Sequence, residues 1–513
     1  MKKKTKLSLV LSSLAIMAIA GATMAGGTYA LFTSESKVNI AVNSGKVDVT
    51  ATISDLKTYS GKANSLTGDV IADEDNIVLT ETEGIFTNGG TAKIEGSALI
   101  LDKMTPGDKV TFKISVTNNS TVASKYRTLI KEEGGTGLFD GLKFTIAESN
   151  VIGRTKWKEL SSNSEPNGIN IATFDCVVSL PSDAGNEYQG KSANILFSVE
   201  AVQGNVQTYV YPAGVTKDSF ASASNVVTTD SSDTSARYAF TKVGDNTVYY
   251  AADLKAALNA DASAIYVNED ATLNEKDYSH YAVSNDLVIY ANDVDFGGKD
   301  LALGSNGTSI NNTASNLKLE VHDSFGLNVW GESPAENVTQ EVLLDNCYYT
   351  GAGRTKGNGI FYVTNMNAPA YGTLKLTIND CYTSDCSVGV YMNVNGSITV
   401  KNSIFRNCAT GIKASHKENG NLIIDVTDTK FSCCGADENK YPNVDKYLYE
   451  DSSAIKCKTK GSITLNLTNV SVLNPIGEKA FHIDDDEHDT KYTGTTTVNA
   501  TNVTVDDTAY NFN

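Results

Sequence analysis

Arginine is scarce in this chain. Among 513 residues only Arg127, Arg154, Arg237, Arg354 and Arg406 carry a guanidinium. That weakens any case for phosphate or polyanion recognition, which depends on arginine's planar, bidentate fork. Positive charge as a whole is in deficit: 42 Lys and Arg stand against 60 Asp and Glu, for a net −18. A field of that sign repels DNA, RNA and anionic lipid, so neither nucleic acid nor a membrane surface is an expected partner, while cations are attracted. There is no Cys-x-x-Cys pair, which argues against a structural zinc site. Nor is there an LPxTG-type sorting motif. Past the first 30 residues no apolar run approaches the roughly 20 residues that a spanning helix needs.

Cysteine is present but does not form the dense framework of a small disulfide-stapled domain. Cys176 stands alone, while Cys347, Cys381, Cys386, Cys408, Cys433, Cys434 and Cys457 all fall in the last third. They read as small apolar fillers of a repetitive core.

The N-terminus is organised for export. Lys2, Lys3, Lys4 and Lys6 precede an apolar stretch from Leu7 to about Ala25 that grows rich in small residues before Thr28-Tyr29-Ala30. This pattern suits a signal peptide over residues 1–30 better than a retained anchor. Those residues hold four lysines and no acid, so the exported part would be more negative still, at −22.

Residues 31–205 show short alternating runs broken by Gly, Asn, Asp and Ser. Val110, Phe112, Ile114 and Val116 share one face, as do Ile195, Phe197, Val199 and Ala201. Period-two alternation without a convincing helix predicts an antiparallel β-sandwich. The stretch "TPGDK" at 105–109 predicts a turn ahead of one strand.

Four segments of this region, "GGTYALFTSES" (26–36), "SGKVDV" (44–49), "TPGDKVTFKISVTNN" (105–119) and "YQGKSANILFSVEAVQ" (188–203), stand in the order found in the TasA/camelysin family, which they resemble. The resemblance covers the first two-fifths of the chain. It implies cleavage between Ala30 and Leu31 by the dedicated signal peptidase SipW, a jelly-roll domain, and a place in the fibres of a bacterial biofilm matrix. It also implies self-assembly, the new N-terminal strand completing the sheet of a neighbouring subunit by strand addition. Here the donor would be residues 31–49, with Val38, Ile40 and Val42 alternating; an ordinary first strand pairing within its own domain is the other reading. The peptidase label borne by part of that family is not carried over. There is no HExxH, and His280, His322, His416, His482 and His488 are mostly scattered.

A linker is expected over 206–245. Residues 217–236 contain nine Ser or Thr in twenty positions, a composition suited to a flexible or glycan-bearing spacer.

A second folded region is expected over 246–513, and from Asn292 onward the chain repeats imperfectly. An Asn, Asp or His is followed three residues later by an aromatic or Val at Asp293/Phe296, His322/Phe325, Asp345/Tyr348, Asn379/Tyr382, Asn402/Phe405, Asp428/Phe431, Asn469/Val472 and Asn502/Val505. A minimum period near 23 with variable excess predicts the coils of a parallel β-helix, the surplus looping out at a corner. Downstream comes a small residue and then an apolar one: Gly359-Ile360, Gly389-Val390, Gly411-Ile412, Ala454-Ile455, Ala480-Phe481 and Ala509-Tyr510. Cys408 and Cys434 each follow a stacked aromatic by three residues, which makes them neighbours in an inward stack, where free thiols and a disulfide both fit. Leu254, Ala257 and Leu258 share a helical face, predicting a short capping helix before the first coil. No cap is evident at the other end. Residues 389–431 resemble the right-handed β-helix repeats of pectate lyases, polygalacturonases and many surface proteins.

The fold class expected is therefore all-β, a jelly-roll-like sandwich followed by a right-handed parallel β-helix. Enzymes resembling this repeat use carboxylates, often with calcium, and a basic residue. The chain has no GHG, shows "GIK" at 411–413 where RIK is wanted, and sets no acidic pair beside Arg354 or Arg406. "FHIDDDEHD" at 481–489 offers His482, Asp484, Asp486 and His488 as weak metal ligands, calcium being the candidate ion, against a plain solvated acidic turn. Tyr441, Tyr447 and Tyr449, in a corner loop at 437–453, are candidates for sugar contact. The leading expectation is an exported surface or matrix protein, the sandwich assembling or anchoring and the rod displayed to glycans or matrix proteins. The alternative is a polysaccharide lyase or hydrolase held at the cell surface.

Overall fold

In the computed structural model the chain divides into two compact units, Met1–Thr208 and Tyr209–Asn513. The structure describes residues 34–37, 47–63, 77–82, 84–96, 98–146, 153–182, 184, 188–211, 226–230, 233–243, 246–250, 258, 262–267, 280–303, 316–332, 334–354, 357–364, 372–416, 420–436, 452–476, 479–484 and 492–512.

The first unit is the antiparallel sandwich that the alternation predicts. One sheet runs, in order across it, Lys158–Leu160, Ser124–Gly135, Ser192–Gln203, Ala98–Asp102 and Thr91–Glu95. The other runs Ile77–Thr82, Val49–Ala63, Lys109–Asn118, Ile171–Ser179 and Lys143–Ile146. Val110, Phe112, Ile114 and Val116 of one sheet meet Ile195, Phe197, Val199 and Ala201 of the other in a single core. Phe112 and Phe197 join edge to face at 5.0 Å, the geometry their ring quadrupoles favour. The expected turn is in place: Asp108 Oδ2 accepts from Thr105 N at 2.7 Å and Thr105 Oγ1 at 2.9 Å, and Gly107 supplies a φ of 92°.

The second unit opens with three antiparallel strands, Val226–Asp230, Asp233–Val243 and Asn246–Tyr250. Two of them lie within the stretch expected to be a linker. Its Val and Thr residues are β-branched and suit a strand as well as a spacer, so Ser/Thr content alone does not separate the two. Asn246–Tyr250 then pairs parallel with Ala264–Tyr266, and the β-helix begins. Of the expected capping helix only Leu258 is described, packed against the core.

Three ladders of parallel strands build the coils. The first stacks Ala264–Tyr266, Leu287–Tyr290, Leu317–His322, Thr339–Asp345, Thr373–Asn379 and Asn395–Lys401, then the leading halves of Asn421–Ser432, Ser462–Leu473 and Thr495–Val505. The second is short and includes Tyr348–Thr350, Tyr382–Ser384 and Ile404–Arg406. The third stacks His280–Val283, Asp295–Leu303, Phe325–Glu332, Asn358–Thr364, Val388–Met392, Thr410–His416, Ser453–Thr459 and Phe481–Ile483.

The corner between the first and second ladders corrects the expected register. The residues with left-handed backbone are Asp323, Asn346, Asp380, Asn402, Asp428, Asn469 and Asn502, with φ between 49° and 54°. His322, Asp345 and Asn379 sit one position earlier, on the outward face of the first ladder. The interior stack is consequently Tyr349, Thr383, Phe405, Phe431, Val472 and Val505, not Tyr348 and Tyr382. Asn and Asp tolerate this conformation because their short polar side chains find local partners. Asn346 Nδ2 donates to Asp323 Oδ1 at 2.6 Å, Asn469 Nδ2 to Asp428 Oδ1 at 2.8 Å, and Asn502 Nδ2 to Asn469 Oδ1 at 2.9 Å.

Two further corrections concern the ends of the second repeat signal. The register shifts between Asn358 and Phe361, so Phe361 rather than Ile360 aligns with Val390. Thr508–Ala509 turns back antiparallel on Thr495–Val505, so Ala509-Tyr510 is no coil. Tyr510 and Phe512 instead pack on Phe481, at 5.1 and 4.9 Å, and cover the interior beyond the Phe481–Ile483 strand.

Candidate functional site

The richest polar constellation among the described residues lies on the outward face of the first ladder, at three successive coils. Strand alternation turns Leu317, Leu319 and Val321 into the core and leaves Lys318, Glu320 and His322 outside. The next strand does the same with Val342 and Leu344, presenting Glu341, Leu343 and Asp345. Parallel register then places Tyr266, Tyr290, His322, Asp345, Asn379 and Lys401 in one column.

His322 is the hinge of the cluster. Its Nδ1 lies 3.1 Å from Asp345 Oδ2 and its Nε2 3.5 Å from Glu320 Oε2. Burial pulls the imidazole pKa down, but the hydrogen bond and charge of Asp345, and then Glu320, outweigh it and raise the ring above its usual value. Glu320 is held below the usual carboxylate range, chiefly by the hydrogen bond from Lys318. Tyr290 stacks on the His322 ring at 5.3 Å and Tyr266 on Tyr290 at 4.9 Å. Stacking face to face along the axis leaves ring edges and hydroxyls outward, so this column offers hydrogen bonds rather than an open ring platform.

The carboxylates are engaged within the cluster. Glu320 gives one oxygen to Lys318 and the other to His322. Asp345 gives one to His322 and the other to Asn379 Nδ2 at 2.8 Å. Each carboxylate oxygen thus already accepts one hydrogen bond within the cluster, which leaves only its second lone pair for a substrate. The carboxylates also contact opposite edges of the imidazole, so the three groups do not converge on a point where an ion could sit. Among the described residues no group of three or more His, Cys, Asp or Glu could hold a metal ion.

A second outward column, on the third ladder, contains Trp330, Tyr362, Tyr391, Lys413, Lys456 and His482. Tyr362 and Tyr391 lie 4.8 Å apart, and Lys413 Nζ lies 5.9 Å from the Tyr391 ring centre. Burial pushes the Tyr362 hydroxyl pKa up. His482 is thus level with Lys456, a buried lysine. Asp484 has φ 51° and accepts hydrogen bonds from the backbone N–H and the hydroxyl of Thr496, the latter at 2.8 Å. Its carboxylate therefore anchors the next coil. Asp486, His488, Tyr441, Tyr447 and Tyr449 lie outside the described residues.

In the sandwich, Ser34–Lys37 pairs antiparallel with Ser192–Gln203, Ser34 opposite Ala201 and Lys37 opposite Ser198. On the same side of that strand Ala98–Asp102 reaches only from Ser192 to Leu196. The N-terminal segment thus fills the half of the edge that the shorter strand leaves open. Ala30, Leu31, Val38, Ile40 and Val42 fall outside the described residues. The polar cluster at His322 escaped sequence reasoning because its members come from coils of uneven length; the one available signal was the recurrence of a charged or polar residue just before each corner.

No family model matches the chain, and no curated protein matches it. Among solved structures it is similar to the catalytic unit of a thermostable GH87 alpha-1,3-glucanase from Streptomyces thermodiastaticus strain HF3-3, at 10% identity and a TM-score of 0.23, over 92% of this chain and 98% of that one. At that score the likeness carries no argument about the activity of this chain. No helix among the described residues is long and apolar enough to cross a membrane.

Proposed function

We propose that the chain is an exported bacterial surface or biofilm-matrix protein in which the sandwich assembles or anchors and the β-helix is displayed. The observation behind this reading is the seat of Ser34–Lys37 on the open half of Ser192–Gln203, a pairing made here within one chain as an ordinary first strand would make it. A segment that completes a sheet edge by backbone hydrogen bonds can do so from a neighbouring copy with the same register, because main-chain pairing supplies the affinity. The β-helix contributes outward columns of hydroxyl, amide and carboxylate groups at coil spacing, a surface suited to the hydroxyls of an extended glycan. The engaged carboxylates of Glu320 and Asp345 favour display over hydrolysis.

Electron microscopy of residues 31–513 beside a variant beginning at Thr50 tests the reading. Filaments from the first and none from the second are expected. Monomers from both would sink the assembly role and direct attention to polysaccharide turnover on the β-helix face.

A further inference from the structure

The interior of the β-helix contains a column of thiols. Cys386, Cys408 and Cys434 follow the second corner of three successive coils, and each is fully buried. Val388 pairs with Thr410, so Cys386 and Cys408, each two positions earlier, occupy the same rung of adjacent coils; Ala409 N donates to Cys386 O at 3.1 Å. Their sulfurs are 3.4 Å apart. Neighbouring parallel strands set Cα atoms about 4.8 Å apart, inside the ~4.4–6.8 Å that a disulfide spans.

We infer that Cys386 and Cys408 become joined by a disulfide between adjacent coils when the chain folds in oxidising surroundings. The inference rests on the export reading for those surroundings. The co-reactant is a small-molecule disulfide. One cysteine, as thiolate, attacks it to form a mixed disulfide and release one thiol; the second cysteine then displaces the other thiol. The Cys386–Cys408 bond forms, the external S–S bond breaks, and two electrons and two protons pass to the released thiols. Exchange precedes closure of the coil, because burial pushes the Cys408 thiol pKa well up and leaves almost no thiolate once the coil is shut. Closure then shields the bond from reductant. Cys434 stays reduced: it is the other neighbour of Cys408, and one sulfur cannot bridge to both. The staple ties the coil of Val388–Met392 to that of Thr410–His416.

The test is a thiol count with peptide mapping. The full chain recovered from the culture medium, and the same chain reduced, unfolded and refolded in a glutathione redox buffer, are alkylated in denaturant and digested with trypsin. Two of the eight thiols are expected to resist alkylation. The peptide Leu376–Lys401 should be linked to Asn407–Lys413, a link kept by Cys381→Ala and lost in Cys386→Ala. Eight alkylated thiols in the refolded chain, or Cys408 joined to Cys434, overturn the inference. Absence of the chain from the medium with the link present after refolding defeats the export reading and leaves the disulfide standing.

Discussion

At the scale of single residues, His322 is where charge and fold are most closely tied. Its imidazolium is favoured in the folded chain by Asp345 and Glu320, so its folded pKa lies above the unfolded value near 6.5. A raised folded pKa means that the folded state binds the proton more tightly. The stabilisation is then complete below the unfolded pKa and is lost as pH rises through the folded one. The denaturation midpoint of the wild type should therefore fall, relative to His322→Gln, as pH is raised from about 6 to about 8. Urea unfolding at a series of pH values measures this. A difference that stays flat over the window would mean that the ring binds its proton no more tightly folded than unfolded, and one that moves the other way would mean that His322 is neutral in the folded chain. The same residue shows what the sequence conceals. Glu320, His322 and Asp345 are contributed by two coils with the strand Phe325–Glu332 between them in the chain, and a linear reading has no means of bringing them side by side.

At the scale of elements, the coils were legible and their register was not. The repeat of a corner polar residue, a small-then-apolar pair, and the neighbouring placement of Cys408 and Cys434 all describe real columns of the β-helix. The slip came where two polar residues adjoin, as in His322-Asp323, Asp345-Asn346 and Asn379-Asp380. Either of each pair could turn the corner, and a one-residue shift moves a strand's side chains to the opposite face. Tyr348-Tyr349 compounds it, since both are aromatic and only the second points inward. The glycines were the firmer guide. A Cβ on Gly389 would meet the Phe405 ring at 2.7 Å, and one on Gly411 would meet the Phe431 ring and the Ala454 carbonyl oxygen at 2.6 Å. These glycines exist because the stacked rings of Phe405 and Phe431, 5.1 Å apart, lie directly against the neighbouring backbone. Gly411→Ala should accordingly destabilise the second unit by about 1–3 kcal/mol, the usual cost of overpacking a tight core. Thermal unfolding followed by circular dichroism should show a lowered midpoint. An unchanged midpoint would mean that the Phe431 ring can withdraw at no cost and that the column is loosely packed.

At the scale of the whole molecule, charge decides what the chain can meet. A net −22 on each copy of residues 31–513 opposes association of copies, while the strand addition proposed for Ser34–Lys37 relies on backbone hydrogen bonds and gains nothing from opposite charge. The two effects respond differently to salt. Repulsion between copies is screened over a length of about 30 Å at 0.01 M and about 8 Å at 0.15 M, whereas hydrogen bonds inside a sheet are little affected. Assembly of residues 31–513 should therefore be faster at physiological salt than in dilute buffer, and light scattering from matched samples measures the rate. The variant beginning at Thr50 carries nearly the same charge without the segment, so it separates strand addition from salt-driven aggregation. Scattering that rises with salt in both chains would assign the effect to screening alone. A rate that falls with salt in the longer chain would mean that opposite charges hold the contact, and the joining surface would then have to be sought among exposed pairs such as Lys57 with Glu81 and Lys93 with Glu95.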